Sequence, residues 1–351
     1  MISKIFSIIL IIFISTTIAI DIRYLDTPNE PGTSFFPVFE GLKLHVRCYR
    51  NQTSANINGP TILLDAGLPF FSTAWATILE PLLIEMPALN YSQACLIDRY
   101  GYGFSDPAPF PFTAQEFVRR LHGSLQAAQV NPPYALTGWS WGSIDMQIFA
   151  LRYPSEVVGL FTVDGTDPIW GFEGNQINVD ILTAGMENFI VMKQLDQLQD
   201  AAVNNRIQLG YGYYNDADSI KFPTNALKIA QQYFFTNNFL NTAIQELNIM
   251  VPSTVMLNDT IASLNTATPY KDLPMVVLYE SLNGIEWEQR QVNMSNYSTN
   301  SESFVIATSH FIPWESPDAI ISGLAKLSTR IKNNPSTQFI KSPSISCPIN
   351  I

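Results

Sequence analysis

The sequence predicts an α/β fold: a mostly parallel, doubly wound sheet with a helical insertion set into it. Three observations carry this. Short apolar runs of strand length alternate with helical patterns at both ends of the chain, and a glycine-flanked turn at 138–142 joins a strand to a helix. Between about 168 and 268 helical periodicity stands without any core strand. The 351 residues suit one large α/β domain carrying an insertion, or two domains.

Two extended segments are expected between about Phe35 and Arg50, meeting at Glu40-Gly41, with Leu42, Leu44 and Val46 alternating along the second. Thr61 to Asp65 is a short apolar strand that ends in Ala66-Gly67. Ala94 to Asp98 is another, running into the glycine-punctuated loop Arg99 to Pro107. Thr113 and Glu116 have capping-box spacing ahead of Phe117, Leu121, Leu125 and Ala128, so a helix is expected to start at Thr113. Next come a strand at Tyr134 to Thr137, the turn at Gly138 to Gly142, and a helix from Ile144 to Arg152 stopped by Pro154. A strand at Val158 to Asp164 completes this unit.

The α/β core is thus expected at 35–167 and 269–332, with a helical cap at 168–268. Strands resume at Pro274 to Tyr279 and Phe304 to Ala307, a last helix spans about Pro317 to Ile331, and 333–351 reads as an irregular tail. Within the cap, Leu182, Met186, Phe189, Met192, Leu195 and Leu198 recur at helical intervals.

Apolar residues make up 46% of the chain and charged ones only 14%, a balance that excludes disorder. The net charge of -11 repels phosphate backbones and anionic headgroups, which argues against nucleic acid as a partner. Residues 1–19 read as a secretory signal peptide. Lys4 precedes an apolar run from Ile5 to Ile20, interrupted only by Ser7 and Ser15-Thr16-Thr17, and Thr17 and Ala19 fit cleavage after Ala19. The run is shorter than the roughly 20 residues that span a bilayer, and an uncleaved signal anchor is the alternative. Cys48, Cys95 and Cys347 allow one bridge of unreadable pairing. Sequons at Asn51, Asn90, Asn258, Asn293 and Asn296 suit a secreted glycoprotein.

Gly138-Trp139-Ser140-Trp141-Gly142 is a G-x-S-x-G pentapeptide between a strand and a helix, the context of a nucleophile elbow. A serine hydroxyl is a weak nucleophile without a base, and the chain holds three histidines. His45 lies in an early strand on the face opposite Leu44 and Val46 and is expected at the surface. His122 is expected as an ordinary helix residue. His310 follows the last strand, at the sheet edge where a base can reach Ser140.

The loop after the strand 274–279 reads Glu280-Ser281-Leu282-Asn283-Gly284 and contains no aspartate. Asp164, one strand earlier, ranks first as the orienting acid, followed by Glu280 and Asp167. Backbone N–H groups of Leu68 and Trp141 are the expected oxyanion donors.

With these residues the chain resembles the α/β-hydrolase superfamily, in the group with a helical cap inserted before the last two strands. The resemblance covers about 35 to 332 and includes Asp98-Arg99-Tyr100-Gly101-Tyr102-Gly103-Phe104-Ser105-Asp106, similar to that group's D-R-x-G-x-G-x-S-D loop. Ser309-His310-Phe311 with Glu315-Ser316-Pro317 is similar to its histidine segment. It implies a serine hydrolase with Ser140 as nucleophile, His310 as base, and Leu68 and Trp141 as oxyanion donors, with no cofactor and no metal. Haloalkane dehalogenases and epoxide hydrolases of this fold carry an aspartate at the elbow, which leaves ester or amide acyl transfer.

The expected partner is a small molecule, an apolar ester, because the cap is rich in aromatics: Trp170, Phe172, Phe189, Tyr211, Tyr213, Tyr214, Tyr233, Phe234, Phe235 and Phe239. Trp141-Gly142-Ser143 is also similar to the prolyl aminopeptidase variant of the motif. That alternative would use cap carboxylates such as Glu173, Asp180, Glu187, Asp196, Asp200, Asp216 and Asp218 to hold a free amine. An inactive binding protein of the same fold is the third reading.

Overall fold

A computed structural model of the chain describes residues 32–50, 58–108, 110–169, 176–198 and 221–334. The signal segment, the sequon at Asn51, Cys347 and most of the tail lie outside them. So do Trp170, Phe172, Tyr211, Tyr213 and Tyr214, and the carboxylates Glu173, Asp200, Asp216 and Asp218.

The chain enters through β1 (Thr33–Phe35) and a minimal hairpin, β2 (Val38–Phe39) and β3 (Leu42–Lys43). Glu40 and Gly41 form the turn with φ of 47° and 80°, the doubly left-handed pattern that suits strand twist. Then follow β4 (His45–Arg50), β5 (Thr61–Asp65), α1 (Ala76–Leu89), β6 (Gln93–Asp98), α2 (Ala114–Ala127), β7 (Tyr134–Trp139), α3 (Gly142–Arg152) and β8 (Val157–Val163). Three helices come next, α4 (Gln176–Gln194), α5 (Thr224–Tyr233) and α6 (Asn237–Ser263). The chain returns through β9 (Met275–Glu280), α7 (Ile285–Ser295), β10 (Ser301–Ile306), α8 (Ile312–Glu315) and α9 (Pro317–Asn333).

Eight strands form one sheet in the order β1-β4-β6-β5-β7-β8-β9-β10. The pairs β1/β4 and β4/β6 are antiparallel, and every pair from β6/β5 to β9/β10 is parallel. The sheet is covered on both faces, and successive residues divide between two cores accordingly. Ile62, Leu64, Val276 and Leu278 face α1 and α9, whereas Leu63, Met275 and Val277 face α2, α3 and α6.

The expected strands all form, within a few residues of their predicted ends. Thr113 caps α2, its side-chain oxygen accepting from the Glu116 N–H at 3.3 Å. Two helices of more than one turn were not anticipated. In α1, Pro81 and Pro87 break the reading, and the apolar Ile84 and Ala88 on its exposed face, beside Glu80 and Glu85, blunt the amphipathic signal. The other is α7, which starts only five residues after β9.

Two expectations about the first strands change. The hairpin at Glu40-Gly41 is confined to β2 and β3, while β4 is taken up between β1 and β6. His45 is not at the surface: it is fully buried, because the face opposite Leu44 and Val46 is covered by Phe36 and Phe104. Its Nδ1 donates to Asp98 at 2.7 Å and its Nε2 meets Ser34 Oγ at 2.9 Å. His122 is a helix residue as expected, stacked on Tyr153 and bonded to Glu156. The bridge joins Cys48 to Cys95, which face each other in the β4/β6 register.

Candidate functional site

Ser140 sits on the turn between β7 and α3 with φ of 53°, a left-handed conformation that costs a β-carbon residue about 1–2 kcal/mol. The turn is held from several sides. Ser140 N–H donates to the Val163 carbonyl at 3.0 Å, and its carbonyl accepts from Ser143 and Thr166, each at 3.1 Å. The flanking glycines are needed for close approach: a β-carbon on Gly138 would lie 2.4 Å from the Gly142 carbonyl oxygen, and one on Gly142 would lie 2.4 Å from that of Asp65.

His310 comes from the loop between β10 and α8. Its Nε2 lies 2.9 Å from Ser140 Oγ, and its Nδ1 lies 2.5 Å from Asp164 Oδ2. The loop is tied on both sides of the ring. Trp139 Nε1–H donates to the His310 carbonyl at 2.9 Å, and Glu315 accepts from the Thr308 hydroxyl at 2.5 Å and from Ser309 N–H and hydroxyl, each at 2.8 Å. His310 remains about one-third exposed, whereas Asp164 is fully buried.

Asp164 ends β8 with φ of 42°. Its second oxygen, Oδ1, accepts from the Trp287 indole N–H at 2.7 Å and from Glu280 N–H at 3.3 Å. The other two acids considered point elsewhere. Glu280 turns its carboxyl onto the Leu282 and Asn283 N–H groups of its own loop, and burial pushes that carboxyl up from its usual range. Asp167 accepts from Ile169 N–H at 2.9 Å and lies 3.5 Å from Arg290.

A serine hydroxyl bonded to an imidazole, whose other nitrogen donates to a buried carboxylate, can lose its proton to the ring as it attacks. The expected oxyanion donors are the backbone N–H groups of Trp141 and Leu68. Trp141 is the N-cap of α3, where N–H groups lack intrahelical acceptors, and Leu68 follows Gly67. A β-carbon on Gly67 would lie 2.8 Å from Ser140 Cβ, so that backbone passes directly beside the hydroxyl.

Beneath these two loops lies a buried charged network that sequence reasoning missed. Arg99 donates to Asp65 Oδ1 at 2.9 Å, to both Glu246 oxygens at 2.7 and 3.1 Å, and to the Ala66 carbonyl at 2.5 Å. Tyr102 OH also donates to Glu246. Glu246 belongs to α6, so Arg99 links the insertion to the strand end preceding Leu68. Asp145, on α3, faces Asp65. Burial first, and the charge of Asp65 second, push its carboxyl well above the usual carboxylate range. Burial also pushes the Asp65 carboxyl up, and the Arg99 guanidinium opposes that shift. Only the Asp65-Ala66-Gly67 and Asp98-Arg99 pairs marked this region in the sequence, and nothing there indicated that they meet.

Among the described residues no group of His, Cys, Asp and Glu could hold a metal ion, and no helix is long and apolar enough to cross a membrane.

The alpha/beta hydrolase family model matches residues 62–322. An uncharacterized Bacillus subtilis protein, YqjL, is 27% identical over 116 residues, 33% of this chain and 44% of its own length. An uncharacterized vacuolar membrane protein of Saccharomyces cerevisiae is 26% identical over 149 residues, 40% of this chain and 23% of its own. The chain therefore spans less than half the length of these relatives. Among solved structures, a thermophilic esterase from Thermogutta terrifontis superposes with a TM-score of 0.58 at 17% identity, covering 86% of this chain and 98% of that one. A putative epoxide hydrolase from Pseudomonas aeruginosa gives 0.62 at 17% identity over 87% and 97%. At such identities the likeness is one of fold.

Proposed function

Because the chain belongs to the alpha/beta hydrolase family, we propose that it is a serine hydrolase cleaving carboxylic esters through an acyl-enzyme. The observation that carries the reading is the unbroken hydrogen-bond chain from Ser140 Oγ through His310 to buried Asp164. His310 takes the hydroxyl proton as Ser140 attacks the ester carbonyl, and Asp164 stabilises the imidazolium that forms. The carbonyl oxygen gains charge beside the Leu68 and Trp141 N–H groups. The tetrahedral species collapses to an acyl-serine when His310 returns the proton to the leaving alcohol. Water then repeats the sequence, with His310 as base.

An apolar acid portion suits the surroundings. Phe70 packs on Trp139 at 5.2 Å, on Trp314 at 5.0 Å and on Phe234 of the insertion at 5.4 Å, and Phe222 adds to Trp314 at 5.8 Å. Phe222 of the insertion thus reaches Trp314, which stacks on Phe311 beside His310 at 4.8 Å. The aminopeptidase alternative has less support. Of the insertion carboxylates proposed for an amine, the described ones, Asp180, Glu187 and Asp196, are exposed; Glu246, which was not among them, is buried and engaged by Arg99 and Tyr102. The serine at the elbow, where epoxide hydrolases carry aspartate, favours ester over epoxide chemistry. A secreted or lumenal location is part of the proposal, supported by the apolar run at 5–20 and the Cys48–Cys95 bridge.

The test is labelling of purified protein with a fluorophosphonate probe beside Ser140→Ala, followed by p-nitrophenyl acyl esters against a proline arylamide. Ser140-dependent labelling with ester turnover is expected. Labelling that persists in the variant, or turnover of the arylamide alone, would overturn the proposal.

A further inference from the structure

We propose that Trp287 is a positioning residue for the Asp164–His310 pair: its indole N–H holds the carboxylate oxygen that faces away from the imidazole and thereby fixes the other oxygen on Nδ1. The inference rests on the serine-hydrolase reading above and adds a residue to it.

A fully buried carboxylate must have donors on both oxygens, or its desolvation is uncompensated. Oδ2 of Asp164 is occupied by His310 at 2.5 Å, which leaves Oδ1 for Trp287 Nε1–H at 2.7 Å and the more distant Glu280 N–H at 3.3 Å. Trp287 stands in the first turn of α7, directly after the loop that leaves β9. That loop carries no aspartate. Instead the last residue of β9, Glu280, and the helix that follows supply two donors to the acid that directly follows the neighbouring strand β8. The indole is a rigid arm that donates and cannot accept, so it is compatible only with the acceptor face of the carboxylate. Without it, Asp164 could rotate about χ2 while still touching His310, and the imidazole would lose its fixed orientation toward Ser140.

The bond also draws charge away from the oxygen facing His310. His310 bonds to Asp164, and Glu280 is the carboxylate whose charge couples to it. Glu280 is turned onto Leu282 and Asn283. Removing the indole N–H therefore concentrates negative charge on the His310 side and favours the protonated ring, which cannot act as a base.

The experiment uses Trp287→Phe, which keeps an aromatic ring and removes the donor, with kcat and KM measured across pH on a p-nitrophenyl ester. The expected result is a fall in kcat of about tenfold, the size of one lost charge-assisted hydrogen bond, with KM within about twofold. The acid limb of kcat/KM should move to higher pH. Trp287→His, which offers a ring N–H, should move the limb back toward wild type. A folded Trp287→Phe enzyme whose acid limb stays in place would overturn the proposal, as would a loss seen in KM alone. Should the Phe variant fail to fold, nitrogen-15 indole spectra of the otherwise unaltered chain decide: Asp164→Asn must shift the Trp287 indole N–H signal, and an unchanged Trp287 signal refutes the bond. Absence of Ser140-dependent hydrolysis in the wild type would instead defeat the serine-hydrolase reading, leaving the spectra to judge the indole contact.

Discussion

Replacing Asp164 by Asn exchanges one oxygen for NH2 and preserves shape, so the consequence follows from donor and acceptor accounting. Three groups converge on the carboxylate: His310 Nδ1–H at 2.5 Å, Trp287 Nε1–H at 2.7 Å and Glu280 N–H at 3.3 Å. All are donors, and an amide has a single acceptor oxygen, so either orientation aims an NH2 at a donor. With the amide nitrogen toward His310, the ring must present a lone pair at Nδ1 and carry its proton on Nε2, where it cannot accept from Ser140. With the oxygen toward His310, the NH2 meets the indole, and the buried unmatched donors cost about 1–3 kcal/mol. A triad acid changed to its amide with geometry intact lowers kcat by about 10⁴-fold, or about 5.5 kcal/mol of transition-state stabilisation. KM should stay close to wild type, because Asp164 is fully buried beneath the ring. The assay is initial rates on a p-nitrophenyl ester, beside Glu280→Gln, which should remain within about tenfold of wild type. An Asp164→Asn enzyme that also stays within that range, or an equal collapse in Glu280→Gln, would refute the reasoning.

Three further outcomes are expected. Gly67→Ala places a methyl 2.8 Å from Ser140 Cβ and should reduce ester turnover by about 10²-fold with the fold retained, as judged by circular dichroism; unchanged turnover would show that this backbone does not border the reacting centre. Asp145 has a raised carboxyl value when folded, so its protonation contributes stability that is complete below the unfolded value of about 3.9 and is lost as pH rises, by up to about 1.4 kcal/mol per unit. Asp145→Asn does not titrate, so denaturant melts should show its stability gaining on wild type between about pH 5 and 8, and a constant difference would count against a buried proton. Reducing Cys48–Cys95, which closes a loop with a sequence separation of 47, should lower stability by about 2–4 kcal/mol, read from urea melts with and without reductant alongside thiol counts.

Much of the site's scaffold was legible along the chain because it is local. The pentapeptide at 138–142 needs only a strand before it, a helix after it and two residues without side chains, all within about twenty positions. Strand and helix periodicity located the parallel units for the same reason. Apolar Ile84 and Ala88 on the exposed face of α1 concealed it, since they blur the polar side that Glu80 and Glu85 would otherwise mark, and Pro81 and Pro87 added false stops. His45 was misplaced because strand alternation distinguishes two faces without saying that aromatic rings cover the second.

For Asp164, Glu280 and Asp167 the sequence supplied a short set of acids and an order, and only the assembled sheet brought one of them onto His310. The distances involved span 146 positions of chain, and which carboxylate arrives depends on how β8, β9 and β10 align. The same holds for the Trp287 indole on Oδ1, the Arg99 bonds to Asp65 and Glu246, and the pairing of Cys48 with Cys95. Local sequence marked Ser140 as the candidate nucleophile and fixed where the chain must turn. Long-range register decided its partners, because hydrogen bonds are set within a few tenths of an ångström and no spacing in a sequence carries that precision.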